Sequence, residues 1–139
     1  MEKHLISHQF NHDATSVFNR FTNAIILDFN QKSTTFNTSY TQPIGTEFKY
    51  IEHSFGRNIP YTAKISEYEK PAIFGYTLKN KNEKIKFVWH FTVADNQTTV
   101  LLYIILDNLS FFQRFMKRNL IKQQIEAFKK YVTYCEKTL

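Results

Sequence analysis

The sequence predicts an α+β domain: an antiparallel sheet of about six strands, a helix region after the first strand and a long C-terminal helix whose apolar stripe the sheet covers. Three observations carry this expectation. Lys84–Ala94 alternates strictly, with Ile85, Phe87, Trp89, Phe91 and Val93 on one side and Lys84, Lys86, His90 and Thr92 on the other. Such a strand rests one face on a core and turns the other to water. Ile121, Ile125, Phe128, Val132, Cys135 and Leu139 recur at steps of four and three, one apolar helical stripe that needs a sheet to cover it. Turn signals at Gly56-Arg57-Asn58, Asn80-Lys81-Asn82 and Asp95-Asn96 separate the extended stretches.

The elements follow in order. His4–Phe10 reads as the first strand, with Ile6, His8 and Phe10 sharing a face. Asp13 is placed to cap a helix that turns Val17, Phe18, Phe21, Ile25 and Phe29 inward. Residues 31–43 are rich in Ser, Thr, Asn and Gln and read as an irregular connection. Glu47–Phe55 is the second strand and Tyr61–Tyr68 the third, with Tyr61, Ala63, Ile65 and Glu67 on one face. Pro71 cannot donate to a ladder and sits before the fourth strand, Ala72–Lys79, which aligns Phe74, Tyr76 and Leu78. Thr98–Leu106 is apolar on both faces, as a central strand is. Phe111, Phe112, Phe115 and Met116 fall on the side opposite the stripe of the last helix, which predicts a break or kink near Lys117–Leu120. The short apolar segment ahead of it would act as a gate.

Composition narrows the class. A chain of 139 residues fits a single domain spanning residues 1–139. The longest apolar run, Val100–Leu106, is far below the ~18 residues a membrane span needs. With no apolar leader segment at Met1–Asp13, the expected location is cytoplasmic. A single cysteine, Cys135, excludes an internal disulfide. Residues 109–139 hold seven basic and two acidic side chains, whereas residues 1–108 are nearly balanced. A basic last helix could touch an anionic surface weakly. Fourteen Lys against four Arg argues against nucleic acid, because Arg is the preferred reader of guanine and phosphate.

Several segments carry a resemblance in their order along the chain. They are Phe10-Asn11-His12-Asp13-Ala14-Thr15-Ser16-Val17-Phe18, then Ile44-Gly45-Thr46-Glu47-Phe48, then Ile65-Ser66-Glu67-Tyr68-Glu69-Lys70-Pro71-Ala72-Ile73-Phe74, and last the run from Phe111 to Glu136. Together they resemble the helix-grip superfamily of START, Bet v 1 and polyketide-cyclase-like proteins (SRPBCC), and within it a small bacterial branch of unassigned function. Beside the proline turn, where members often carry a second proline or an Arg, this chain has Lys70 and Ala72. The resemblance implies a curved sheet gripping the last helix, often with an apolar cavity between them. It also implies binding of lipids, sterols, polyketides or hormones in some members and cyclase activity in others. By alternation, the side chains that would face such a cavity are Phe10, Ile65, Phe74, Tyr76, Phe87, Trp89, Phe91, Ile121, Ile125 and Phe128.

The leading expectation is a non-enzymatic module that binds a small hydrophobic or amphipathic molecule, with no cofactor. An alternative is a cyclase- or hydrolase-like enzyme using Glu67, His8 and Tyr76 for acid–base chemistry in the same cavity. A third is an interaction protein with a filled core, working through its outer sheet face or its basic helix. His4, His8 and His12 are spaced as on a helix but lie in a strand and turn, so no metal site is expected there. His90 falls on the solvent side of its strand, and the placement of His53 indicates no site. No nucleophile elbow, phosphate loop, dinucleotide fingerprint or zinc-protease motif is present.

Overall fold

The computed structural model describes residues 2–32, 45, 47–54, 57–81, 84–107 and 111–139, and the side chains of 111–120 lie outside the described part. Six strands and two helices follow in the order β1 (Glu2–Phe10), α1 (Ala14–Lys32), β2 (Glu47–Ser54), β3 (Arg57–Glu69), β4 (Ile73–Lys79), β5 (Lys84–Ala94), β6 (Gln97–Asp107) and α2 (Phe111–Thr138). The strands form one antiparallel sheet in the order β1-β6-β5-β4-β3-β2. Consecutive strands pair as hairpins, and β1 closes onto β6, which makes β6 interior. That position explains its apolar residues on both faces. No helix among the described residues is long and apolar enough to cross a membrane.

Local chemistry places the elements. The backbone N–H of Ser16 donates to Asp13 Oδ2 at 3.0 Å, and that of Val17 to the Asp13 carbonyl at 3.1 Å, so Asp13 caps α1. Hydrogen bonds from Ser16 hold its carboxyl below the ordinary range. The β5–β6 hairpin closes on Ala94↔Gln97, with Asp95 at φ 53° and Asn96 at φ 62°. Two left-handed residues suit the right-handed twist of the flanking strands, and Asp and Asn tolerate that conformation.

One strand, β3, departs from the sequence expectation in two places. β3 begins at Arg57, because the β2 register closes on Ser54↔Arg57, so Arg57 and Asn58 are extended rather than a turn. Pro60 fits inside this strand because β3 has outrun β4 there: their pairing ends at Thr62↔Lys79. Further along β3, the register steps from Ile65↔Tyr76 to Glu67↔Gly75, leaving Ser66 as the extra residue of a β-bulge. The bulge shifts the alternation by one. Tyr68, opposite Phe74, joins the core side, and Glu67 moves to the outer face instead of sharing the face of Ile65.

The core lies between the inner face of the sheet and the two helices. Val17, Phe18, Phe21, Ile25 and Phe29 of α1 are all buried, as their spacing required. Helix α2 runs from Phe111 to Thr138 as one helix, so of the expected break or kink near Lys117–Leu120 the break is not present. Backbone hydrogen bonds do not depend on which side is apolar, and no Gly or Pro interrupts the segment. The four residues of the expected gate, Phe111, Phe112, Phe115 and Met116, have side chains outside the described residues. In α2 the buried residues are Phe128, Tyr131 and Cys135, whereas Ile121, Ile125 and Val132 are half-buried. Tyr131 joins the covered face beside Val132, which packs against the core, because α2 packs on α1 as well as on the sheet. Its hydroxyl donates to Asp28 Oδ2 at 2.6 Å, and Lys130 Nζ donates to Asp28 Oδ1 at 3.1 Å.

Asp28 is buried while the Lys130 side chain is 67% exposed, so the two contacts differ in weight. Tyr131→Phe strands a buried carboxylate oxygen and is expected to cost about 1–3 kcal/mol. Lys130→Met is expected to cost less than about 1 kcal/mol, because solvent screens that ion pair. Urea unfolding of both variants checks the order; equal losses would show that Tyr131 does not anchor α2 to α1.

Candidate ligand site between the sheet and the helices

The sheet contributes an aromatic wall. Alternation brings Phe74 and Tyr76 of β4 and Phe87, Trp89 and Phe91 of β5 onto the inner face, all buried. Tyr76 lies near parallel to Phe87 and Trp89, with ring centroids at 4.9 and 5.4 Å. Phe74 stands 6.1 Å from Trp89. From the helices, Phe21 approaches Trp89 at 6.5 Å, Phe91 at 5.8 Å, Phe128 at 5.7 Å and Tyr131 at 5.7 Å. Offset and edge-on contacts at these separations are favourable beyond the area they bury.

Of the ten side chains expected to face a cavity, nine lie in the core or pack against it, and Ile125 is half-buried outside that group. Phe10, Ile65, Phe74, Tyr76, Phe87, Trp89, Phe91 and Phe128 are buried in the core, and Ile121 and Ile125 are half-buried. The cover given by α2 is thus tight at Phe128, Tyr131 and Cys135 and looser at Ile121 and Ile125. One polar atom stands out within the wall. The indole Nε1 of Trp89 is buried and has no hydrogen-bond partner. An indole N–H is a donor only, and leaving one unmet in an apolar interior costs free energy.

The three acid–base candidates do not converge. Glu67 is on the outer face, paired with Lys86 at 3.0 Å. Tyr76 is inside the aromatic wall. His8 lies on β1, its ring 4.7 Å from Phe10 and its Nε2 3.5 Å from Glu136 of α2. No common reaction runs through groups on opposite faces of one sheet. Among the described residues, no cluster of three His, Cys, Asp or Glu side chains could hold a metal ion.

Two clefts lie away from the wall. One, of about 710 Å³, is bordered by His12, Arg20, Tyr68 and Lys70 where α1 begins. Burial raises the Tyr68 phenol above its ordinary value there. The other, of about 660 Å³, lies on the outer sheet face around Ser66, Glu67, Lys86 and His90. Sequence reasoning missed this second grouping. Its signal was Gly75, a lone glycine inside a strand pattern, which marks a bulge or a close approach.

Residues 5–105 match a family described as a domain of unknown function, DUF3284. The chain belongs to the DUF3284 family. A search of curated proteins finds no match. Among solved structures, this DUF3284 chain is similar to Ara h 8.0201, with a TM-score of 0.66 at 12% identity, covering 99% of this chain and 100% of that one. It is similar to protein MLL2253 from Mesorhizobium loti, with a TM-score of 0.69 at 11% identity and 99% of each chain covered. A protein from Arthrobacter aurescens gives a TM-score of 0.68 at 12% identity, covering 97% of this chain and 86% of that one. The DUF3284 chain has the Bet v 1-like helix-grip fold.

Cys135, at the closed end of α2, reports on that packing. Burial pushes its thiol up to about 12. At pH 8 the folded protein is expected to react with a disulfide reagent at least about a hundredfold more slowly than the urea-unfolded chain. Comparable rates in the two states would show that the C-terminal half of α2 opens readily.

Proposed function

We propose that this chain binds a small hydrophobic or amphipathic molecule between the sheet and α2. The supporting observation is the unpartnered Trp89 N–H, buried in an aromatic wall beneath a helix. Buried donors in folded proteins are nearly always satisfied, so one left over points to an acceptor supplied from outside. A molecule with an apolar body and a single acceptor oxygen or nitrogen would meet it. The half-buried Ile121 and Ile125 mark the side of α2 where cover is looser and entry costs least. Exposed Lys122, Lys129 and Lys137 give α2 a positive flank that would favour amphipathic anions, and weak contact with an anionic surface, over cations. The cytoplasm is the compartment that fits the single buried thiol.

A second reading, a filled core with function at the surface, is favoured by the close stacking of Tyr76 on Phe87 and Trp89. The two readings separate in one titration. Trp89 is the only tryptophan, so its emission reports on the wall alone. Lauric acid and 2-naphthol are expected to change that emission saturably and to appear as one-to-one complexes in native mass spectrometry. Trp89→Phe keeps an aromatic ring and removes the donor; it is expected to weaken the complex about five- to tenfold, a hydrogen bond's worth. Should neither probe shift the emission or the mass, the filled-core reading stands and ligand binding inside the grip is abandoned.

A further inference from the structure

The outer face of the sheet carries a second constellation, laid out by register. Leu5, Tyr103, Val88, Gly75 and Glu67 are successive cross-strand neighbours. Ile105, Lys86 and Thr77 form the row on one side, and Leu101, His90 and Ile73 the row on the other. The middle row is low because Gly75 contributes no side chain. A Cβ at Gly75 would stand 3.2 Å from Glu67 Oε2 and 3.2 Å from the Phe87 carbonyl oxygen, so the glycine lets the Glu67 carboxylate lie down over the sheet. There it accepts a hydrogen bond from Lys86 Nζ at 3.0 Å. The cleft of about 660 Å³ that results has Ile73, Val88 and Ile105 as its apolar surface.

Its polar groups have capacity to spare. Both members of the Glu67–Lys86 pair are about one-third exposed, with side-chain accessibilities of 38% and 33%. Among the described residues no other ion pair engages either, so one carboxylate oxygen and two ammonium hydrogens face the cleft unshared. The bulge residue Ser66 also lines the cleft, and its hydroxyl is buried with no hydrogen-bond partner. The bulge turns the Glu67 carboxylate out to the hollow, where it meets Lys86.

We propose that this hollow is a binding site for a small zwitterion with an apolar side chain, of the class of the apolar α-amino acids. The charge arrangement selects the class. A lone carboxylate would meet Lys86 but be repelled by Glu67 and Glu69; a lone ammonium would meet the carboxylates but be repelled by Lys86. A ligand carrying both charges on groups of one carbon sets its ammonium against Glu67 and its carboxylate against Lys86, closing a ring of alternating charges. Its side chain then covers Val88, Ile73 and Ile105. The site faces away from Trp89, so it stands or falls independently of binding inside the grip.

Three probes with the same phenyl-ethyl body test the proposal: L-phenylalanine, 3-phenylpropionate and phenethylamine. Amide chemical-shift titration of the isotope-labelled full chain is expected to give saturable shifts at Gly75, Val88 and Tyr103 with L-phenylalanine. Each single-charge probe is expected to bind at least about tenfold more weakly. Lys86→Met and Glu67→Gln are each expected to weaken L-phenylalanine by about tenfold, with Trp89 emission unchanged as proof of folding. No saturable shift below about 20 mM, a Kd weaker than any selective site of this size, overturns the proposal. Equal binding of either single-charge probe, or shifts centred elsewhere, overturns it as well.

Discussion

The ring of Phe21 lies where the sheet and both helices meet, within aromatic contact of Trp89 and Phe91 on β5 and of Phe128 and Tyr131 on α2. The grip depends on this junction. The sheet can bury its inner face only if α1 crosses it, and α2 can bury its own stripe only against α1 and the sheet together. An aromatic side chain at that point contributes ~150–250 Å² of buried surface and tolerates edge-on neighbours from several directions. The Asp28–Tyr131 hydrogen bond then fixes α2 along α1, and His8 meets Glu136 near the end of the helix. Packing supplies most of the affinity between the elements, and the polar contacts set where along one another they stop.

The bulge at Ser66 divides the molecule into two chemical environments. Before it, alternate residues of β3 enter the core; after it, the phase is reversed, and Tyr68 goes in while Glu67 goes out. Inside, the walls are aromatic, and the buried donor Trp89 Nε1 has no hydrogen-bond partner. Outside, the same strands carry a carboxylate, an ammonium and an imidazole around an apolar floor. An interior of the first kind selects by shape and one hydrogen bond. A surface of the second kind selects by the arrangement of charges.

The likeness to Ara h 8.0201 and to the bacterial structures holds over almost the whole chain at 12% identity or less. Such a fold is maintained by alternation and volume, conditions that many sequences satisfy. In this chain the inward side chains are crowded with Phe, Tyr and Trp, so the room within the grip is set by how the rings of Phe74, Tyr76, Phe87 and Trp89 stack.

Much of the fold was legible in the residues themselves. The alternation of β5, the cap at Asp13, the inward stripe of α1 and the Asp95-Asn96 turn are local patterns with one physical solution each, and the structure follows them. The candidate site was legible in part. The residues sharing the inner face could be named from alternation, but the contacts among them could not. Three features needed the tertiary structure. The face of Glu67 depends on an extra residue that only pairing with β4 defines. The covered side of α2 includes Tyr131 because α1 is a second surface against it, which no single-helix pattern contains. The cluster of Ser66, Lys86 and His90 comes from three places in β3 and β5 that only strand register brings around Gly75. Periodicity along one segment determines which side of that segment is apolar; which other segment that side meets is decided by the register and packing of the whole chain.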